Sequence, residues 1–387
     1  MSEYQYYEFQ AIDRPLSREE IQILRGYSTR ARITPTSFIN EYSYGSFKGN
    51  EDEWMAKYFD AFLYVANWGT RVLMLRLPAK LLSERTIRAY SRKGSGSYED
   101  TLTLRALAGN VILKFCSEEE GGGEWIEGGG LLASLVPIRS ELAHGDLRAL
   151  YLGWLRGIQN GDREESEAEP PVPSGLKSLS PALIALADLL EIDGDLMEVA
   201  AEASGDIRSS AHDPAERARW IAGLPAAEKD ELLSRLMEGN ASHLGIELCS
   251  RFERQNAVKP SGSIPLTRTV GQLLAAAEGR RERRNKAEMR KAAEEKARRD
   301  REAALEREKH LEGVARRMPE LWDQVEVLVA AKQSKAYGEA VQVLQDLREV
   351  AARRGTESDF ARRLAALRDR HAKKRTFLDL LSARGLR

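Results

Sequence analysis

Ala61-Phe-Leu-Tyr-Val-Ala-Asn67 and Arg71-Val-Leu-Met-Leu-Arg-Leu77 flank Trp68-Gly69-Thr70, so two β-prone runs face each other across a three-residue turn. β-Branched and aromatic residues fit a pleated surface, and Gly69 supplies the positive φ that a tight turn requires. This stretch predicts a β-hairpin and decides that the first part of the chain carries a sheet. Upstream, Tyr4–Ile12 is aromatic and extended in character. Ser17-Arg-Glu-Glu20 then forms a capping box, because the Ser oxygen and the Glu carboxylate satisfy each other's orphan amides, and a helix is expected behind it. Further strands are expected at Ile33–Ser43, Thr101–Ala106 and Val111–Phe115. Beyond them Leu142, Leu147, Leu150, Tyr151, Trp154 and Leu155 include helical spacings, with Asp146 as a good N-cap. Residues 1–160 are therefore expected to form an α+β domain.

The rest of the chain is expected to be mostly α-helical, in a middle region and a C-terminal region, with a long charged single helix. Residues 161–175 are acidic and then proline-rich (Glu169-Pro-Pro-Val-Pro173), which predicts a linker, since little apolar surface is present to offset ordering entropy. Residues 176–257 predict a small helical domain: Ala182–Leu190 is apolar, Asp213-Pro214-Ala215-Glu216 is a capping box, and Leu232, Leu233, Leu236 and Met237 form a stripe. Pro260, Gly262 and Pro265 mark a hinge over 258–267. Residues 268–313 predict the charged helix. Between Arg280 and Glu312 its large apolar residues are Met289, Leu305 and Leu311, so no a/d seam supports a dimeric coiled coil. Glu282–Lys286, Glu294–Arg298 and Glu295–Arg299 are four-apart pairs, each contributing about 0.2–0.5 kcal/mol. Those 33 residues would reach about 50 Å as a helix. The apolar stripe returns after Gly313, and Thr356-Glu-Ser-Asp359 resembles a cap. Residues 314–387 predict a three-helix bundle.

A chain of 387 residues with 42% hydrophobic content can build two or three cores. Cys116 and Cys249 lie far apart and read as small buried hydrophobes in a reducing compartment. Met1 is followed by polar Ser2–Glu3, and no apolar run approaches the roughly 20 residues of a membrane span, so a soluble, cytoplasmic protein without membrane partners is expected. The charge is divided. Residues 1–258 carry 28 Lys+Arg against 40 Asp+Glu, while 259–387 carry 31 against 20. Such a split points to a polyanion, an acidic partner or self-complementarity, and names no reaction.

No motif in the chain specifies catalysis. The Gly121–Gly123 and Gly128–Gly130 clusters are flanked by Glu118, Glu119, Glu120, Glu124 and Glu127, carboxylates that would repel a phosphate, so they predict a surface loop. Ser140, Glu141, His144 and Asp146 have the residue types of a hydrolytic site, but their spacing suits helix punctuation better: His144-Gly145 closes one helix and Asp146 caps the next. His212, His243, His310 and His371 are isolated, and no set of ligands has zinc spacing; no cofactor is expected. The surface signal lies in Arg280, Arg281, Arg283, Arg284, Lys286, Arg290, Lys291, Arg298 and Arg299, with Arg370, Lys373, Lys374 and Arg375 at the tail. These are the candidate nucleic-acid contacts, because cations neutralise phosphates. Aromatic residues for base stacking are absent from the charged helix, and its interleaved acids are what a self-supporting helix needs.

Two stretches carry a resemblance. Tyr4-Gln-Tyr-Tyr-Glu-Phe-Gln-Ala-Ile-Asp-Arg-Pro-Leu16 through Ile33-Thr-Pro-Thr-Ser-Phe-Ile-Asn40 and Tyr64-Val-Ala-Asn-Trp-Gly-Thr70 resembles a bacterial protein group over most of the chain, which implies no particular reaction. Tyr337-Gly-Glu-Ala-Val341, Phe360 and Arg370-His-Ala-Lys-Lys-Arg-Thr-Phe-Leu378 resemble the helical tails of bacterial SWIM zinc-finger proteins. The Cys-x-Cys and Cys-x-His ligands of that finger are absent here, so the resemblance implies a shared docking module and a pathway linked to nucleic acid, without zinc. Three roles are expected, in this order: a non-enzymatic interaction or scaffold protein with a protein partner, a nucleic-acid binder acting through the basic arm, and an enzyme with a site in the N-terminal domain.

Overall fold

The computed structural model describes residues 3–91, 100–107, 109–118, 127–206, 214–237, 244–256 and 268–386. They form two compact units, Met1–Arg283 and Arg284–Arg387.

The first unit is built on an antiparallel sheet. Its strands are β1 (Gln5–Gln10), β2 (Arg32–Thr34), β3 (Ser37–Tyr42), β4 (Ala61–Ala66), β5 (Arg71–Pro78), β6 (Leu102–Leu107) and β7 (Asn110–Ser117), in the order β2-β3-β1-β4-β5-β7-β6. The hairpin at Gly69 is present: β4 pairs with β5 from Ala61↔Leu75 to Val65↔Arg71, and Gly69 has φ +100°. The stretch Ile33–Ser43, expected as one strand, is instead the β2–β3 hairpin. Pro35 and Thr36 turn the chain there, since proline presets the turn dihedral and has no amide to donate to a ladder. Alternation then divides the central strands between two cores. Leu63, Leu73, Leu75, Leu113 and Phe115 face one side, while Phe9, Phe62, Met74 and Ile112 face the other. Burial on both faces explains why β4, β5 and β7 read as nearly continuous apolar runs.

Helices cover both faces. On one lie α1 (Arg18–Tyr27) and α2 (Glu51–Lys57), which contribute Leu24, Trp54 and Met55. The capping box of α1 forms as expected, with Ser17 N donating to Glu20 at 2.7 Å and Glu20 N to the Ser17 hydroxyl at 3.2 Å. The bidentate Arg14 guanidinium and then the Ser17 amide hold the Glu20 carboxyl down at about 2. A short α3 (Glu84–Arg88) adds Ile87 to the opposite core. That face is covered by α4 (Leu131–Leu135), α5 (Pro137–Ala143), α6 (Arg148–Gln159), α7 (Pro181–Leu189) and α8 (Gly194–Glu202). At Gly153 a β-carbon would lie 3.1 Å from the Phe115 ring, so glycine lets α6 close onto the sheet.

Residues 161–175 do not behave as the expected linker. Glu169 is 8% exposed, and its carboxylate accepts from the Tyr151 hydroxyl on α6 and from the Arg268 guanidinium at 2.8 and 2.7 Å. Backbone bonds join Glu169 N to Arg268 O and Val270 N to Glu167 O, at 2.9 and 3.0 Å. An acidic segment poor in apolar surface is thus ordered by an ion pair whose carboxylate is buried, which composition does not reveal. Nor are 176–257 a separate core: α7 and α8 share the apolar cluster of the sheet. Beyond them come α9 (Pro214–Gly223), α10 (Ala226–Met237) and α11 (Leu244–Asn256), whose Trp220 and Phe252 meet edge-on at 5.5 Å. The stripe on α10 is exposed at Leu233, Leu236 and Met237. Asp213 of the expected capping box and the 258–267 hinge lie outside the described residues. Cys116 is buried, and burial pushes its thiol up to about 11, whereas Cys249 is only half-buried.

The long helix α12 runs Val270–Arg316, past the end expected at Gly313, because Leu311 and Val314 are drawn into the apolar core of the second unit. It breaks at Arg317, and Pro319, which has no amide to donate, stands in the first turn of the helix that follows. Residues 282–306 are exposed at every position. The bundle contains α13 (Met318–Ala330), α14 (Ser334–Arg354), α15 (Glu357–Arg370) and α16 (Arg375–Ala383), rather than three helices. A turn over 371–374 splits the last expected helix, and this returns Phe377 and Leu381 to the core. Thr356 occupies the N-cap of α15 without a side-chain hydrogen bond.

Replacing Glu169 by Ala leaves the Arg268 charge without its buried carboxylate and should destabilise the first unit by about 3–5 kcal/mol. Tyr151→Phe should cost only about 1 kcal/mol. Denaturant unfolding of both variants measures this, and a loss below about 1 kcal/mol in Glu169→Ala would show that the pair does not anchor the segment.

Candidate functional site

The second unit has a groove of about 380 Å³ whose floor comes from three helices. Helix α13 supplies Met318 and Trp322, α14 supplies Leu347 and Ala351, and α15 supplies Phe360. Trp322 and Phe360 are half-buried, with ring centroids 5.7 Å apart. The Arg363 guanidinium carbon lies 5.9 Å from the Trp322 ring centroid, within cation–π range. Arg362 forms an ion pair with Asp359 on the same rim. An apolar floor under a cationic rim can accept a bulky side chain and attract an acidic flank. Trp322 lies off the helical spacing of Leu321, Val325 and Leu328, which marks the apolar stripe, and so escapes a reading of periodicity. The available signal is its type, a rare bulky ring among mostly aliphatic helices.

Most of the candidate nucleic-acid contacts have other duties. Arg280 reaches Asp195 and Glu198 at 3.7 and 3.3 Å, and Arg281 reaches Asp193 and Glu278 at 2.9 and 2.6 Å. These pairs, apart from Glu278, fasten the start of α12 to α8 and its N-cap within the first unit. Further along, Arg290 meets Glu294 at 3.1 Å, Arg298 meets Glu302 at 3.9 Å, and Arg299 meets Glu295. The expected Glu295–Arg299 pair is seen. Glu294 turns back to Arg290 instead of forward to Arg298, since both lie one helical turn away. In the tail, Arg370 pairs with Glu326, and Lys374 Nζ donates to Val329 O at 2.7 Å. Arg283, Arg284, Lys286, Lys291, Lys373 and Arg375 are exposed. Structural roles thus absorb at least seven of the thirteen cations.

The Ser140–His144 cluster is punctuation. His144 Nδ1 lies 2.7 Å from the Ser140 carbonyl oxygen, which fixes that nitrogen as a donor, and the Ser140 hydroxyl is 3.5 Å away. The ring therefore presents no lone pair to the serine. Asp146 is held by Arg148, accepting at 2.6 and 3.0 Å, and also accepts the Arg148 amide at 3.0 Å. In the glycine clusters, Gly130 opens α4 with φ +83°, whereas residues 119–126 lie outside the described residues, as do His212 and His243. Among the described residues no group of three or more His, Cys, Asp or Glu side chains could hold a metal ion. No helix of the described residues is long and apolar enough to cross a membrane.

The remaining histidines are not isolated in space. His310 Nε2 lies 2.8 Å from Asp346, whose carboxylate also meets Arg307 at 2.7 Å, and Arg307 reaches Glu349 at 2.7 Å. His371 Nε2 lies 2.8 Å from Glu326. Arg307 and His310 are three apart on α12, a spacing that puts them on one face, but only the fold supplies the buried carboxylate opposite. Burial pushes Asp346 up, yet hydrogen bonds from His310 and Arg307 outweigh it and hold its carboxyl below the usual range.

Compared with known proteins, the chain matches no family model, no curated protein and no solved structure.

A carboxyl depressed in the folded state stabilises the fold above its unfolded value near pH 4, and that contribution is lost as pH falls through the folded value. Asp346→Asn should therefore cost about 1–2 kcal/mol at pH 7, reduced by the half-exposed Arg307, and should flatten the loss of stability below about pH 4. Thermal melts of the variant and the parent between pH 2 and 7 check both statements.

Proposed function

We propose that this chain is a non-enzymatic interaction or scaffold protein of the bacterial cytoplasm that docks a protein partner through its C-terminal charged helix and bundle. The observation that carries the reading is the groove around Trp322 and Phe360, where half-exposed aromatic rings lie beside Arg362 and Arg363. Aromatic and arginine side chains in a concave setting are the residues that supply most binding energy at interfaces. The resemblance of the tail to SWIM-protein tails adds the expectation that the module is used for docking elsewhere too. Engagement of many helix cations by carboxylates weighs against phosphate as the main ligand.

The second reading, nucleic acid held by the basic arm, rests on the unbroken exposure of residues 282–306 and their excess of cations. It predicts affinity that falls steeply as salt rises. Converting Arg283, Lys291, Lys373 and Arg375 together to Gln should then lower the slope of log affinity against log salt by about 3–4; an unchanged slope removes the reading.

For docking, the full chain immobilised as bait should retain a partner that Trp322→Ala and Arg363→Glu baits lose by about tenfold or more, with melting curves showing that both variants fold. Equal retention by all three baits, or no retained protein at all, would overturn the reading.

A further inference from the structure

A second cleft, of about 400 Å³, opens in the first unit between the C-terminal end of α1 and the end of β3. Tyr27, Tyr42 and Tyr44 line it, with Arg30, Lys48 and Glu41. Tyr44 is 83% exposed and Tyr27 42%, which is unusual for rings with so much apolar area. Their surroundings are ordered. Trp54 meets Tyr27 edge-on at 5.2 Å, and Tyr7 meets Tyr42 edge-on at 5.6 Å. The loop behind Tyr27 is pinned by Arg25, which donates to the carbonyls of Ser28, Thr29 and Ala31 at 3.3, 3.2 and 2.7 Å. The Ser28 hydroxyl accepts from Asn40 Nδ2 at 3.0 Å, joining that loop to β3, while Gln5 Nε2 donates to Gly45 O at 2.7 Å beside Tyr44.

The cations beside these rings are also available. Several arginines of this unit are tied to carboxylates, as in Arg14–Glu20, Arg71–Glu191, Arg76–Asp60, Arg139–Asp13 and Arg148–Asp146. Among the described residues neither Arg30 nor Lys48 takes part in an ion pair, although the unit as a whole is acidic. Exposed rings on a pinned frame offer stacking surfaces, and free cations beside them offer an anion site. Glu41 in the same wall would repel a bare phosphate, but it can accept from an amino group. We infer that this cleft binds a nucleotide: a base bearing an amino group stacks on the exposed tyrosines, and its phosphate meets Arg30 and Lys48. The site is separate from the bundle groove and does not depend on the docking reading.

Calorimetric titration of the full chain with adenosine monophosphate, adenosine and an eight-residue oligoadenylate tests this. Saturable binding of the monophosphate, tighter than that of adenosine, is expected. Tighter binding of the oligoadenylate would make a single strand the source of the nucleotide, and equal binding would make it a free one. Tyr44→Ala, at a position too exposed to support the fold, should weaken binding about tenfold, and Arg30→Gln with Lys48→Gln should erase the preference for the monophosphate over adenosine. Absence of binding at millimolar concentrations, or affinity unchanged by Tyr44→Ala, would overturn the inference; the latter would locate binding elsewhere, for example on the basic helix.

Discussion

The first unit depends on a part-buried guanidinium paired with a buried carboxylate. Arg268 is held by Glu169 through two hydrogen bonds and donates to the carbonyls of Val199 and Ala200 at 2.8 and 3.4 Å. Glu169 in turn accepts the Tyr151 hydroxyl, and burial followed by that hydrogen bond raises the phenol well above its ordinary range. One side chain thereby joins α6, the 161–175 segment, the last turn of α8 and the first turn of α12. Removing either partner would leave a charge in a poorly solvated place, so the segments are coupled rather than merely adjacent. Val270 and Leu273 then enter the core beside the helices that cover the sheet.

Buried charge recurs as the tie between elements that hydrophobic contact alone would let slide. Asp60, fully buried, accepts the amides of Ile12 and Asp13 at 2.6 and 2.9 Å and the Arg76 guanidinium at 2.6 and 3.0 Å. Arg139 reaches both Asp13 and the Arg76 carbonyl, bridging α5 to the sheet. Such directional bonds specify register, whereas apolar packing tolerates exchange of similar shapes. The same arrangement operates in the second unit, where Asp346 on α14 gathers Arg307 and His310 from α12. Charges on the stretch of α12 that is exposed from 282 to 306 act differently, in one-turn pairs along the helix itself.

Much of the fold is legible in the sequence because its signals are local. The hairpin at Gly69, the capping box at Ser17, the aromatic first strand and the helical period after residue 270 each arise from neighbouring residues. The features that the sequence hides have causes distant along the chain. The segment 161–175 reads as a linker because its ordering partner, Arg268, is 99 residues from Glu169. Helix α12 continues past Gly313 because Leu311 and Val314 find their apolar contacts only in the bundle. The turn that separates α15 from α16 carries no proline or glycine. Of the candidate sites, the basic residues are visible as a list, but their availability is only partly so, since one-turn pairs such as Glu295–Arg299 can be read from spacing, whereas Asp195, Glu198 and Glu326 have to be brought to their arginines by folding.

The sequence by itself determined that a strand-rich first part with its hairpin at Gly69 is followed by mostly helical regions, together with the division of charge along the chain and the weakness of every catalytic pattern, because periodicity, caps and composition act over a few residues. Tertiary structure alone decided which charges are buried ties and which remain exposed, that Trp322 and Phe360 share a groove, and that Tyr27, Tyr42 and Tyr44 line a cleft with Arg30 and Lys48. The physical reason is that burial and electrostatic pairing depend on distances between groups far apart in the chain, and those distances exist only after the cores have formed.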